Sequence, residues 1–293
     1  MATYDSVLRD GVLDGLVVLV TGGGTGIGRC IAHEAAHLGA EVVVAGRRDE
    51  PLRATCDEIA GAGGRAVWHT CDVRDAEQVE RLVETVVADH GGLHALVNNA
   101  GGQFPSPAEE ISPNGWRSVI DLNLNGTFLV TRQAFRSWMG DHGGSVVSIV
   151  ADMWNGFPYM SHTGAARAGV VNLTRTLAVE WGHRGVRVNA VAPGLVYSSG
   201  MDTYPEQVRE AAAQHGRLIP AGRIGTESEV SAAVCFLLSP AARFVTGETI
   251  RIDGGASLAS QPTAPLGVGR ATERFDGFHL AREIPEQWLG EDA

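Results

Sequence analysis

The sequence predicts a single α/β domain built on a doubly wound, seven-stranded parallel sheet with helices on both faces. Three observations carry that expectation. Short β-branched runs alternate with longer helical patterns from Leu16 to about Ile252. The runs are nearly continuous in apolar residues, as strands covered on both faces are. The chain has 293 residues, enough for one large core and too few for two comfortable ones. Strict βα alternation then demands parallel pairing with right-handed crossovers.

The strand candidates are LVVLVT (16–21), EVVVA (41–45), RAVWHT (65–70), HALVN (94–98), SVVSIV (145–150), VRVNAVA (186–192) and ETIRI (248–252). Between them, Ile27–Leu38, Glu50–Ala62, Ala76–Asp89, Trp116–Met139 and Thr163–Trp181 read as helices. Asp75 with Gln78, and Thr226 with Glu229, have the spacing of an N-cap and its partner three residues on. Residues 1–15 read as an N-terminal arm and 16–257 as the domain. Residues 258–293, with loop-like Pro and Gly spacing, read as an extension whose Phe275, Phe278 and Trp288 dock on the core or on a neighbouring subunit.

Composition narrows the function classes. Asp plus Glu number 34 against 23 Lys plus Arg, a net charge of −11 that argues against nonspecific nucleic-acid binding. The four cysteines are scattered without metal-ligand spacing, so no metal is expected, and buried reduced thiols in a cytoplasmic protein are. The start, MATYDSVLRDG, lacks the apolar region of a secretory signal, and no aliphatic run approaches the roughly 20 residues of a bilayer span. The end, Glu291-Asp292-Ala293, lacks a peroxisomal address of the Ser-Lys-Leu type.

The first chemical motif is Thr21-Gly-Gly-Gly-Thr-Gly-Ile-Gly28, directly after the first strand and opening a helix. Glycines there let backbone approach a pyrophosphate, and the helix N-terminus supplies free N–H groups and a favourable dipole. Gly22, Gly24, Thr25, Gly26, Ile27 and Gly28 are therefore candidate dinucleotide contacts. The second strand ends in Ala45-Gly46-Arg47-Arg48, with two arginines and no acid. An acid near that point binds the adenosine 2′-hydroxyl, whereas arginine accommodates a 2′-phosphate, so NADP(H) is favoured and NAD(H) is the alternative.

With these motifs on the page, the chain resembles the short-chain dehydrogenase/reductases, which share the Rossmann fold. The glycine turn, Cys71-Asp72-Val73, Asn98-Asn99-Ala100-Gly101, Asn123-Leu-Asn-Gly126, Pro193-Gly194 and Asp253-Gly254-Gly255 carry the likeness over about Leu16–Ser257. It implies that Asp72 contacts the adenine, that Asn98 and Gly101 shape the adenosine-ribose region, and that Val73, Asn99 and Ala100 are further cofactor contacts. It also implies that Pro193, Gly194 and Val196, within Pro193–Ser198, back the nicotinamide, and that the protein is a homo-oligomer, usually a tetramer. The family's serine, tyrosine and lysine fall at Val150 or Ala151, at Thr163 and at Arg167; of the usual four residues only Asn123 is kept. Stretches 98–109, 162–174 and 223–247 are similar to the peroxisomal trans-2-enoyl-CoA reductase branch, and Ala151–Trp154 with Gly200–Tyr204 to bacterial citronellol/citronellal dehydrogenase-like proteins.

A threonine hydroxyl is a poor acid near neutral pH, and an arginine stays protonated, so ordinary carbonyl reduction lacks its proton relay. Reduction of an enoyl thioester suits the site better, because the developing enolate oxygen needs positioned donors more than a strong acid. Thr163 and Arg167 are one helical turn apart; the expectation is that Thr163 donates to the substrate oxygen while Arg167 orients the nicotinamide ribose. The α-carbon proton could come from water, His162, Tyr159 or Asp152, with Asn123 a helix-kink and water-organising residue. Met153, Trp154, Phe157, Tyr159, Met160 and Met201 are the candidate pocket for an acyl or terpenoid chain. Two alternatives stand beside this reading: a dehydrogenase of an aliphatic or terpenoid alcohol, and a dinucleotide-binding protein with little catalysis.

Overall fold

The computed structural model describes residues 3–203, 206–216, 218–259 and 272–285. Seven strands form one sheet, β1 (Val17–Thr21), β2 (Glu41–Gly46), β3 (Arg65–Thr70), β4 (Ala95–Asn98), β5 (Gly144–Ile149), β6 (Val186–Pro193) and β7 (Thr249–Ile252). Their order is β3-β2-β1-β4-β5-β6-β7 and every pairing is parallel. The order reverses between β1 and β4, where Val20 stands beside Val44 on one side and Val97 on the other. In an open sheet of this kind the carboxyl ends of the strands at that reversal form the ligand crevice.

Alternate strand residues feed two separate cores. Val18, Val20, Val42 and Val44 pack on one face with α1 (Gly26–His37) and α2 (Asp49–Gly61), while Val17, Leu19, Val43 and Ala45 pack on the other with α3 (Ala76–His90). Period-two side-chain alternation with both faces apolar produces this arrangement. The Asp75 side chain caps α3, accepting from the Glu77 and Gln78 amides.

One predicted helix differs from expectation. The segment read as Trp116–Met139 starts three residues earlier, because the Ser112 side chain accepts the Gly115 amide and Pro113 occupies the first turn. It runs as α4 (Pro113–Ile120), α5 (Gly126–Ala134) and α6 (Gly140–His142), joined by π-helical stretches at Asp121–Asn125 and Phe135–Met139. Such π-turns mark places where a side chain intrudes on the helical ladder, often at functional sites. Beyond β5, α7 (Ser161–Trp181) packs against β6. α8 (Glu206–Gly216) follows, and α9 (Glu227–Leu238) packs on α1. Thr226 and Glu229 close a full capping box on α9.

Residues 4–5 and 275–278 meet on the domain's own core. The Asp5 amide donates to the Gly277 carbonyl at 2.8 Å, and Tyr4 stacks on Phe278 over buried Cys30. The Thr226 hydroxyl donates to the Phe275 carbonyl at 2.7 Å. Residues 272–285 thus dock within the chain, and Trp288 lies outside the described residues. All four cysteines are free and buried. Among the described residues no helix is long and apolar enough to cross a membrane, and no cluster of metal-ligating side chains occurs.

Candidate active site

Two clefts open along the carboxyl edge of the sheet and share Gly101. The first lies over β1 and β2 and is lined by Gly22, Gly24, Thr25, Arg47, Arg48, Asp72, Val73 and Ala100 among others. Its floor is fixed by Thr21 and Asn99. The Thr21 hydroxyl accepts the amides of Asn99 and Ala100, and the Asn99 side-chain amide donates to the carbonyls of Thr21 and Gly22 at 3.0 and 3.1 Å. Gly22 and Gly26 have φ of 67° and 57°, the left-handed region that a side chain resists. Gly28 abuts the Asn99 side chain so closely that any Cβ would collide with it. Thr25, the N-cap of α1, makes no side-chain cap bond, which leaves the first amides of the helix directed at the cleft.

Of the residues expected at the dinucleotide, Gly26, Gly28 and Asn98 do not line either cleft; the two glycines shape the turn itself, and the others line one cleft or the other. Asp72 accepts Arg74 at 2.5 Å; that hydrogen bond comes first among the causes holding its carboxyl below the usual carboxylate range. Asn98 is buried and ties Thr131 to Ser148, a structural bond behind the cleft. Arg47 and Arg48 are exposed at the cleft edge, and no described residue hydrogen-bonds or ion-pairs with either guanidinium. An open glycine turn at a helix start, beside two exposed arginines, fits a dinucleotide.

The second cleft, of about 800 Å³, lies over β4, β5 and β6. Ile27, Asn99, Pro193, Gly194 and Val196 line it, together with Asp152, Phe157, Met160 and Met201. Asp152 is placed by its amide, which donates to the Pro193 carbonyl at 3.2 Å. Arg167 rises into the cleft from α7. Its Nη1 donates to the Ile149 carbonyl at 2.8 Å, while Nε is buried without a partner. Burial alone pushes its pKa down to about 10, with no acidic group among the causes, so the guanidinium remains charged and lacks a carboxylate. Gly101 makes room for it: a Cβ there would meet the Arg167 guanidinium and Asn123 Oδ1.

Asn123 sits in the first π-turn, fully buried. Its amide donates to the carbonyls of Gly102 (2.8 Å) and Val119 (2.9 Å), and Oδ1 accepts the Gly102 amide. It shapes the wall beside Arg167, in line with the helix-kink reading.

Several expectations are corrected. Thr163 is completely buried and does not line the cleft, so its hydroxyl does not meet substrate directly; a side chain this short stops at the His162 ring, 3.2 Å from Nδ1. His162 is equally buried beneath Phe104. Met153, Trp154 and Tyr159 stand outside the cleft lining. The Asn155 side chain donates to the Ser257 carbonyl, and the Gly156 amide returns to Met153. That turn packs Met153 on the cluster of Val150 and Val170 and leaves Trp154 under the Arg251 guanidinium. Tyr159, at φ 62°, turns its ring to solvent. Sequence reasoning missed Gln103, Ile219 and Ala256, which join the lining from the stretches between the main helices and strands, and Ala212, which joins it from α8.

The fold, the turn and the two clefts define a nicotinamide-dependent oxidoreductase. Residues 22–257 match the family model described as enoyl-(acyl carrier protein) reductase, and the chain belongs to the short-chain dehydrogenase/reductase family. A protein of Bacillus subtilis (strain 168) described as a probable 2,4-dienoyl-CoA reductase is 40% identical over 84% of this chain and 98% of its own. The structure of a citronellol catabolism dehydrogenase from Pseudomonas aeruginosa PAO1 is 54% identical, with a TM-score of 0.79 over 87% of this chain and 100% of that one. A dehydrogenase from Beutenbergia cavernae, recorded with NADP at low occupancy, is 38% identical with a TM-score of 0.79, covering 86% of this chain and 100% of that one.

Proposed function

We propose that the protein reduces the double bond of a conjugated 2-enoyl thioester with NADPH. The observation that carries the reading is Arg167, a buried cation with no carboxylate, facing an apolar cleft where the family keeps a tyrosine and a lysine. Bound in the clefts, NADPH supplies a hydride. The chain's part is to hold the acyl group along Phe157, Met160 and Met201, and to stabilise charge on the thioester oxygen. Arg167 does the second: a preorganised cation in a desolvated cleft stabilises a developing enolate far more than it stabilises the neutral thioester. The same guanidinium is positioned to orient the nicotinamide ribose, with Asn123 and Gly101 keeping its place. Arg47 and Arg48, exposed at the cleft edge, support NADP(H) over NAD(H). The α-carbon proton comes from solvent reaching the open cleft.

The 54% identity to a citronellol catabolism dehydrogenase supports a second reading, oxidation of a terpenoid or other aliphatic alcohol. There Asp152, a carboxylate lining the cleft, would take the hydroxyl proton. One plate separates the two: NADPH or NADH with trans-2-octenoyl-CoA, and citronellol with each oxidised cofactor. Loss of NADPH with the thioester alone supports the reductase, and cofactor reduction with citronellol alone overturns it. A cytoplasmic location and a homotetramer belong to the same proposal; sedimentation of the purified chain as a monomer would remove the tetramer.

A further inference from the structure

Past β7, residues 272–285 lie back on the domain as a strap, and its first part is fastened by polar bonds. Arg223 donates from Nε to the Thr272 carbonyl and from Nη2 to the Glu273 carbonyl, both at 2.8 Å. The same guanidinium is gripped by the Glu229 carboxylate of the α9 capping box at 2.6 and 3.0 Å. The Thr272 amide donates to the Ala221 carbonyl, and the Phe278 amide to the Ser228 hydroxyl, each at 3.1 Å. Backbone groups engaged along its length hold the strap on one path.

The end of that path reaches the second cleft from behind. Ile284 is half-buried and packs, with Leu195, Met201 and Ala212, on the buried Ile224 side chain. Those three line the cleft, whereas Ile224 and Ile284 do not. The cleft wall is therefore two layers deep here, with the strap in the rear layer. That rear layer is tight. A Cβ on Gly216, at the end of α8, would fall 2.6 Å from Ile224 Cγ2. The Gly225 amide donates to the Leu195 carbonyl at 2.9 Å, and the Gly225 carbonyl accepts the Tyr197 amide at 3.1 Å. Ile284 also faces a small gap shared with Tyr197 and Ser198. In a close-packed wall, volume lost from the rear layer is taken up partly by the layer in front.

We propose that the strap sets the depth of the acyl cleft, with Ile284 as the positioning residue that keeps Met201 and Ala212 forward; the assignment rests on the thioester-reductase reading. Removing the branched side chain lets the front wall settle back, and a longer acyl chain then gains binding relative to a shorter one. A larger side chain does the reverse. Neither the strap nor Ile224 lines the dinucleotide cleft over β1 and β2, so NADPH binding there stays as it is.

The test measures kcat/KM with NADPH for trans-2-octenoyl-CoA and trans-2-dodecenoyl-CoA, using the full chain. Ile284→Ala should raise the dodecenoyl-to-octenoyl ratio about tenfold, through KM rather than kcat, with the NADPH dissociation constant unchanged. Ile284→Val, which keeps the branch, should recover most of the wild-type ratio, and Ile284→Phe should lower it. The opposed directions separate a change of depth from a general loss of stability. An unchanged ratio in both Ile284→Ala and Ile284→Phe, or an equal loss for both thioesters that follows a lowered melting temperature, overturns the role and leaves the reductase reading intact. A wild type that reduces neither thioester overturns both.

Discussion

The two halves of the sheet obey different rules. On the β1–β4 side, the sequence motif and the geometry coincide: the glycine turn, Thr21 and Asn99 build the floor of one cleft, with Arg47 and Arg48 on its edge. On the β5–β7 side, the sheet is equally regular but the chemistry-bearing loop and α7 are altered. A buried threonine, a buried histidine and an arginine with no carboxylate partner stand at the start of α7. A backbone-made cofactor site tolerates little variation, because amides at a helix start serve any pyrophosphate. A side-chain-made reaction site can be rebuilt while the frame stays constant, which is how one fold carries several chemistries.

The largest expected effect falls on the altered half. Arg167→Met should lower kcat/KM by about 10²–10³ while leaving thermal stability unchanged or higher, since it removes a buried charge that no carboxylate compensates. Steady-state rates and a melting curve on the same preparation check both parts. A variant that loses activity only by unfolding would erase the contrast between frame and site.

On the regular half, replacing both Arg47 and Arg48 by alanine should raise KM for NADPH about tenfold or more and leave KM for NADH unchanged. Equal changes for both cofactors would remove the 2′-phosphate role.

Away from both clefts, Thr226→Ala should cost about 1–2 kcal/mol in a urea titration, because it removes the α9 capping box and the bond to the Phe275 carbonyl. Limited proteolysis within 272–285 should speed up alongside. A stable variant with an unprotected C-terminal segment would show that the two bonds act separately.

The smallest effect concerns Glu227, near the glycine turn. Burial, aided by Asp276 and opposed by Arg29 and Arg282, pushes its carboxyl up to about 7. Its folded pKa lies above the ordinary 4.5, so ionisation costs more in the fold than in the unfolded chain. Stability should therefore fall as pH rises from about 4.5 to about 7 and change no further from this group. Glu227→Gln should raise stability by about 1 kcal/mol at pH 8 and by nothing near pH 4.5, as melting at the two pH values would show.

The seven strands were legible because near-continuous β-branched runs bounded by turn residues have few other uses in a chain of alternating elements. Both cap pairs were legible from spacing alone. Asn123 could be picked out, although the π-turn that holds it could not, since no residue type signals a single extra residue in a helix. The segment after β5 was the least legible. It has no period, and its course depends on Gly156 and Tyr159 at positive φ and on a side-chain bond from Asn155 to distant Ser257. Those tertiary ties decided that Phe157 faces the cleft while Met153, Trp154 and Tyr159 do not. The burial of Thr163 was hidden for a related reason: helical phase places it on the same side as Arg167, but reach depends on side-chain length and on what packs in front.

The central claim is conjugate reduction rather than carbonyl or alcohol chemistry, and the label's destination tests it most directly. The enzyme would be given NADPH deuterated at nicotinamide C4 together with trans-2-octenoyl-CoA, and the acyl product examined by NMR. The account predicts one deuterium on the β-carbon of octanoyl-CoA, with the α-carbon proton drawn from solvent. No transfer to the thioester, together with passage of deuterium from C1-deuterated citronellol to NADP+, would contradict it.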